Sequence, residues 1–320
     1  MKSLLFTLAA AVALGLGPRV ASAQSAPETP LRMIVPYAPG GTTDALARLL
    51  QRSLSQIMNR TVIVDNKPGA TGTIGTALGA KAPADGNTII FGNQGPNAIV
   101  PAVRKTPYDP INDLRPLTTV AFMPLALVVA PDRGPQTLRA FIEQGRKSGA
   151  GFAYGSSGIG GFGHLAGHEF ARMGGLDMTH VPFKGGGEVA TAIMGGSVQS
   201  SFVTALEATP LVTAGRLRFL AVGSPKRMPL LPQVPAVAEE LPGFDAVIWF
   251  GAFAPKGTPD AIAERLRDAI VKAVQSPEYR QYLEEHNAEA RASTPGELTD
   301  LIRRDMQVWG DVIKKNNIPL

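Results

Sequence analysis

Three short stretches carry the residue types from which an anion site is made: Pro36–Gly41 with Thr42, Thr43 and Asp44 behind it, Asn66–Gly75, and Gly155–His164. Each is rich in glycine and hydroxyl side chains, follows a short apolar run, and precedes a stretch with helical spacing. A glycine loop on a helix start leaves backbone N–H groups unpaired at the positive end of the dipole, which favours a carboxylate or phosphate by about 0.3 to 1 kcal/mol at an exposed terminus. One Gly-Gly turn is an ordinary strand-to-helix connection. Its recurrence is what points to binding.

Other chemistries suggested by these residues lack their companions. Gly158–Gly163 has the spacing G-x-G-x-x-G, but the acid expected at the next strand end for a dinucleotide ribose is replaced by Phe183 and Lys184. His164 and His168 lie one helical turn apart without the H-E-x-x-H pattern, so no metal is expected; His164 reads as a hydrogen bonder at a helix start and His168 as a surface residue. Ser156 and Ser157 sit in Gly-Ser-Ser-Gly-Ile rather than G-x-S-x-G, with no identifiable base, so catalysis is not expected. Trp249 and Phe250 lie in a strand-like run and read as core.

The elements that must position these loops are short and alternate. Met33–Val35 is a strand, and Leu46, Leu49, Leu50, Leu54, Ile57 and Met58 recur on one helix face with Thr43 or Asp44 as N-cap. Thr61–Asp65 reads as a buried parallel strand, followed by a helix to about Lys81; Asn87–Phe91 is a third strand before a polar loop, Gly92–Asn97. Leu125–Ala130 reads as a strand crossing into a second domain, and Val247–Phe253 as the return. Between them lie helices near 137–147, 165–173 and 188–194, strands at 152–155, 178–183, 198–203 and 217–222, and, separating the last two strands, a helix whose end is marked by Ala214-Gly215. Helices near 259–275, 277–286 and 295–315 close the chain. In open α/β sheets ligands bind outside the carboxyl ends of the strands, where the glycine loops fall.

The chain has 320 residues, enough for two domains, with a formal charge of +5, 35 glycines, 27 prolines and no cysteine. Without Cys there is no disulfide frame and no thiolate metal site, and without a Lys/Arg cluster nucleic acid is not an expected partner. Lys2, the apolar run Leu4–Leu16 and Ala21-Ser-Ala23 form a secretory signal pattern with cleavage after Ala23, which places the mature protein in the periplasm.

Taken together, Ile34–Gly41, Asp65–Ala70, Ala82–Gly86, Tyr154–Gly158, His164–Gly167, His180–Gly185, Ala214–Arg218, Leu231–Ala238 and Ala254–Pro259 resemble the Bug-type substrate-binding proteins of tripartite tricarboxylate transporters across essentially the whole mature chain. The resemblance implies a two-lobed type II periplasmic binding protein fold, α/β, with two crossing strands and a ligand cleft between lobes. The expected division is a signal peptide at 1–23, lobe 1 at 24–124 plus 247–320, and lobe 2 at 125–246. It implies ligand carboxylates held by Tyr37, Gly40, Gly41, Thr42 and Asp44, by Gly69, Ala70, Thr71 and Gly72, and by Ser156, Ser157 and Gly158. Asn93, His164, Phe183, Val203 and Thr204 complete the expected ligand-contacting set. No cofactor is implied.

Two departures from the family pattern bear on the ligand. Thr71 interrupts the usual Pro-Gly-Ala-Gly-Gly, and the usual Val-Asp-x-x-Phe-Asp reads Val198-Gln199-Ser200-Ser201-Phe202-Val203, without either acid. Loss of a carboxylate removes the obvious partner for a ligand ammonium. The expected ligand is an amine-free organic acid, a dicarboxylate or an aromatic carboxylate, handed by a monomeric receptor to integral membrane transporter subunits. The alternative output is presentation to the ectodomain of a two-component sensor kinase.

Overall fold

A computed structural model describes residues 29–148, 151–316 and 318, so the signal-peptide expectation lies outside the described residues. The first half builds β1 (Leu31–Val35), α1 (Thr42–Met58), β2 (Val62–Asn66), α2 (Thr73–Ala80), β3 (Thr88–Asn93) and a short α3 (Val100–Val103). β4 (Leu114–Val129) then leads to α4 (Leu138–Ser148), β5 (Phe152–Ser156), α5 (Phe162–Gly174), β6 (Met178–Pro182), α6 (Gly186–Gly195), β7 (Ser200–Thr204), α7 (Ala205–Thr213) and β8 (Arg218–Val222). β9 (Val247–Pro255), α8 (Asp260–Val274), α9 (Pro277–Glu284) and α10 (Pro295–Lys315) complete the chain.

β1 lies between β2 and β3, parallel to both, and β3 pairs antiparallel with β9. The long β4 joins the lobes by changing partners along its length. Its first part runs antiparallel to β9 from Leu114↔Pro255 to Pro124↔Val247, and from Leu125↔Thr204 onward it pairs with β7, with β8 on its other side. β5 lies parallel between β7 and β6. The resulting molecule is a two-lobed α/β protein whose strand ends face each other across a cleft.

Side-chain periodicity explains the packing. Leu46, Leu49, Leu50 and Leu54 of α1 are buried against β1, where Leu31, Met33 and Val35 alternate inward. In the second lobe Phe141, Phe152, Phe170, Phe202 and Phe244 form a chain of ring contacts. α10 returns to the first lobe, where Asp305 accepts from Trp249 Nε1 at 2.7 Å. Trp249 is core, as its place in a crossing strand suggests. α10 starts in a capping box: Thr294 Oγ1 accepts from Glu297 N–H at 3.2 Å, and Glu297 accepts from Thr294 N–H at 2.7 Å.

Several local expectations are corrected. β2 is an edge strand with Ile63 half exposed, because β1 alone pairs with it. The stretch Gly92–Asn97 is not a loop: β3 continues through Asn93, and a wide π-helical turn runs from Gly95. Asn93 makes that turn possible in a buried setting, its Oδ1 accepting from Gly95 N–H at 3.0 Å and its carbonyl from Asn97 Nδ2 at 2.7 Å. β4 begins eleven residues before Leu125, because its first part has β9 as a partner that periodicity cannot show. Finally, the N-cap of α1 is Gly41, not Thr43 or Asp44.

Candidate functional site

Gly41 caps α1 without a side chain because Asp44 turns its carboxylate back onto the loop. Asp44 Oδ2 accepts from Gly40 N–H at 3.0 Å and Arg48 Nε at 2.9 Å, and Oδ1 accepts from Asn66 Nδ2 at 2.9 Å. Burial alone would raise its pKa, but these hydrogen bonds outweigh burial and hold the carboxyl below the usual carboxylate value. Asp44 thus lies behind the cleft wall, holding Gly40 at φ +90. Tyr37 and Asn93 form the adjoining wall, Tyr37 Oη donating to Asn93 Oδ1 at 2.9 Å. Burial raises the Tyr37 phenol well above its ordinary range, so it stays neutral.

The second loop is a run of left-handed residues: Gly69, Ala70, Thr71 and Gly72 have φ of +130, +46, +53 and +88. For a β-branched threonine this conformation is strained. Thr71 Oγ1 donates to Ile159 O at 2.7 Å, which ties the loop to the opposite lobe. A second tie is the 2.6 Å hydrogen bond between Thr42 Oγ1 and Thr204 Oγ1.

In the third loop the two serines part company. Ser156 is buried, with Oγ bonded to Gly158 O at 3.0 Å and to His180 Nε2 at 2.7 Å. Ser157 faces the cleft. His164 Nδ1 accepts from Gly160 N–H at 3.1 Å, the helix-start role read from sequence, and its ring stacks on His180 with centroids 3.7 Å apart. Burial, with the neighbouring His180 and His168 adding to it, pushes His164 down to about 3, and burial pushes His180 down to about 4. The pair is a neutral buttress beneath the loop. His168 is half buried rather than on the surface, and no metal-type cluster occurs among the described residues.

These loops enclose two adjoining chambers of about 360 and 960 Å³ that share Tyr37, Ala38, Thr71, Ser157 and Lys184. The smaller, inner chamber takes Gly40, Gly41, Thr42, Asn93, Val203 and Thr204 of the expected set. The larger, outer chamber takes Gly69, Ala70, Gly72, Gly158 and Phe183. Asp44, Ser156 and His164 line neither chamber and shape the loops from behind. Phe250, expected in the core, is buried yet closes part of the inner chamber.

Three helix starts converge on the inner chamber: α1 at Gly41, α5 at Gly161 and α6 at Gly185, each lacking a side-chain cap. A fourth start at the chamber, α7, is capped by Thr204; elsewhere α9 and α10 are capped by Ser276 and Thr294, whereas α8 has no side-chain cap. An uncapped start leaves N–H donors and positive dipole ends for an incoming anion, and three together build such a site from backbone alone. Gly163 lets α5 come this close, since a Cβ there would lie 2.6 Å from Phe202 O.

The α6 start was missing from the expected set, although Lys184-Gly-Gly-Gly187 directly before a helix carried the same signal as the other loops. Glu207 was missing as well. It lines the inner chamber from the first turn of α7, its N–H donating to Thr204 Oγ1 at 3.2 Å. Nothing local marks it, because only the packing of α7 on β4 and β7 turns it into the cleft. Of the two departures from the acid pattern, Gln199 is held away from the chamber by Ala153 N–H at 2.6 Å, whereas Val203 faces it.

Known proteins resemble this chain over most of its length. Residues 46–318 match the model of the tripartite tricarboxylate transporter family receptor. Protein BugT of Bordetella pertussis is 33% identical over 302 residues, covering 93% of each chain. The structure of periplasmic binding protein BugD superposes with a TM-score of 0.85 at 30% identity, covering 92% of this chain and 99% of its own. An R. palustris protein solved with adipate superposes with a TM-score of 0.87 at 33% identity, covering 91% and 98%.

Proposed function

Because the chain belongs to the tripartite tricarboxylate transporter receptor family, whose members are periplasmic solute-binding proteins, we propose that it captures an amine-free organic carboxylate between its lobes and delivers it to a membrane transporter. The observation that carries this reading is the convergence of three glycine-capped helix starts, at Gly41, Gly161 and Gly185, on one chamber. A carboxylate placed there meets backbone donors from both lobes, so binding favours closure. Adipate in the related R. palustris protein supports a dicarboxylate, and Val203 at the wall, in place of an acid, supports a ligand without an ammonium group.

Lobe 1 is assigned to 24–124 plus 247–320 and lobe 2 to 125–246, with the hinge at 124–126 and 247–250, where β4 changes partners. The assigned signal peptide ends at Ala23. Among the described residues no helix is long and apolar enough to cross a membrane. The protein acts by binding and release, so the ligand is recovered unchanged.

The test is a thermal-shift screen of refolded, ligand-free mature protein against aliphatic di- and tricarboxylates, aromatic acids and amino acids. Ligand at about 100 times its dissociation constant adds roughly 2.7 kcal/mol. A shift confined to amine-free acids is the expected result. Micromolar binding of aspartate or glutamate with no competing organic acid would overturn the ligand class, and silence from every carboxylate would overturn the receptor reading.

A further inference from the structure

Glu207 is an anomaly in a chamber built for anions. Its carboxyl lies against Gly186, so closely that a Cβ on that glycine would overlap Oε1. Among the described residues it makes no side-chain hydrogen bond and no ion pair. Of the surrounding elements, β4 and β7 face the chamber with Leu125, Val203 and Thr204, α7 carries no other titratable group, and the positive end that Glu207 touches is the start of α6, the same donors an incoming carboxylate would use. The nearby titratable groups are Lys184 before α6, Glu188 on α6 and Tyr37 on the opposite lobe. Glu188 Oε2 accepts from the Lys184 backbone N–H at 3.0 Å, and Lys184 lines both chambers.

An ionised carboxylate here would repel the carboxylate that the helix starts attract. A carboxylic acid instead provides an O–H donor. Resting on the carboxylate-receptor reading, we infer that Glu207 is a specificity-determining residue that donates a hydrogen bond from its carboxylic acid to an acceptor oxygen of the bound organic acid, so that capture takes up one proton. Burial works in the same direction, raising Glu207 above its ordinary value of 4.5. The arrangement selects against ligands with an ammonium group, which would need the ionised form, and favours those with a carboxylate or ether-like oxygen at the α7 end of the chamber.

Binding linked to one proton tightens as pH falls, by up to about tenfold per unit above the pKa of the free protein's Glu207. The experiment is calorimetric titration of adipate, malate and aspartate into wild type, Glu207→Gln and Glu207→Ala between pH 6 and 8. Glu207→Gln keeps a donor at every pH and carries the ligand's own ionisation as a control. The expected result is wild-type dicarboxylate affinity that rises toward pH 6 with proton uptake. Glu207→Gln should show no such slope, and Glu207→Ala weaker binding throughout.

Equal pH slopes in wild type and Glu207→Gln would overturn the proposal while leaving the receptor intact. So would aspartate binding that is lost in Glu207→Gln. If no dicarboxylate binds any of the three proteins, the receptor reading itself fails and this inference falls with it.

Discussion

Asp44 spends its carboxylate on its own loop, so its contribution to binding is indirect. Asp44→Ala removes acceptors from Gly40 N–H, Arg48 and Asn66 in a nearly closed environment, at a cost of about 1 to 3 kcal/mol in stability and a looser first loop. Its folded pKa is depressed, so the stabilisation is present above the ordinary carboxylate value and is lost as pH falls through the folded one. Urea melts of wild type and Asp44→Ala should therefore differ at pH 7 and converge in strong acid. Thr71 acts on the opposite lobe. Thr71→Val keeps the branched side chain but loses the bond to Ile159 O, and a weakening of ligand binding by up to about tenfold is expected by calorimetry. Asp44 was legible as a loop residue and Thr71 as a departure from the family pattern. Their partners, Asn66 and Ile159, were not, since each is distant in sequence.

At the scale of elements, the three uncapped helix starts at the inner chamber leave their backbone donors open. A side-chain oxygen at an N-cap normally stabilises a helix by about 0.5 to 2 kcal/mol, and α1, α5 and α6 forgo it. A Cβ at Gly41 would meet nothing within 4 Å, so Gly41→Asp starts into open space. The variant should melt higher than wild type and yet bind carboxylates at least about tenfold more weakly, because its own carboxylate occupies the donors. A variant that binds as well as wild type would show that the α1 start does not hold the ligand. Strand, glycine loop and helix were readable in order because turn chemistry and helical periodicity are local. The start of β4 and the edge position of β2 were not, since both depend on which strand lies alongside.

The two lobes are held together across the cleft by hydrogen bonds from Thr71 to Ile159 and between Thr42 and Thr204, and by the edge contact of Phe162 with Trp309 at 5.4 Å. Opening of the cleft would break these contacts. A Thr42→Val, Thr71→Val double variant should populate the open form more, and small-angle scattering should show a larger radius of gyration that contracts less on adding ligand. An identical radius for wild type and variant, with and without ligand, would argue against closure about the β4 and β9 crossings.

Residue order alone determined the α/β class, the sites of the glycine loops and the resemblance that pointed to a carboxylate receptor, because each rests on short-range spacing. Tertiary structure decided which loop residues line the chambers. Ser157 faces the cleft while Ser156 is consumed by His180, Val203 faces it while Gln199 does not, and α6 joins α1 and α5 at one chamber. It also turned Glu207 from an ordinary first-turn acid into a half-buried group that lines the inner chamber. The orientation of one side chain depends on strand register and on how closely a neighbouring glycine lets two helices approach. Neither is encoded within the residue's own neighbourhood.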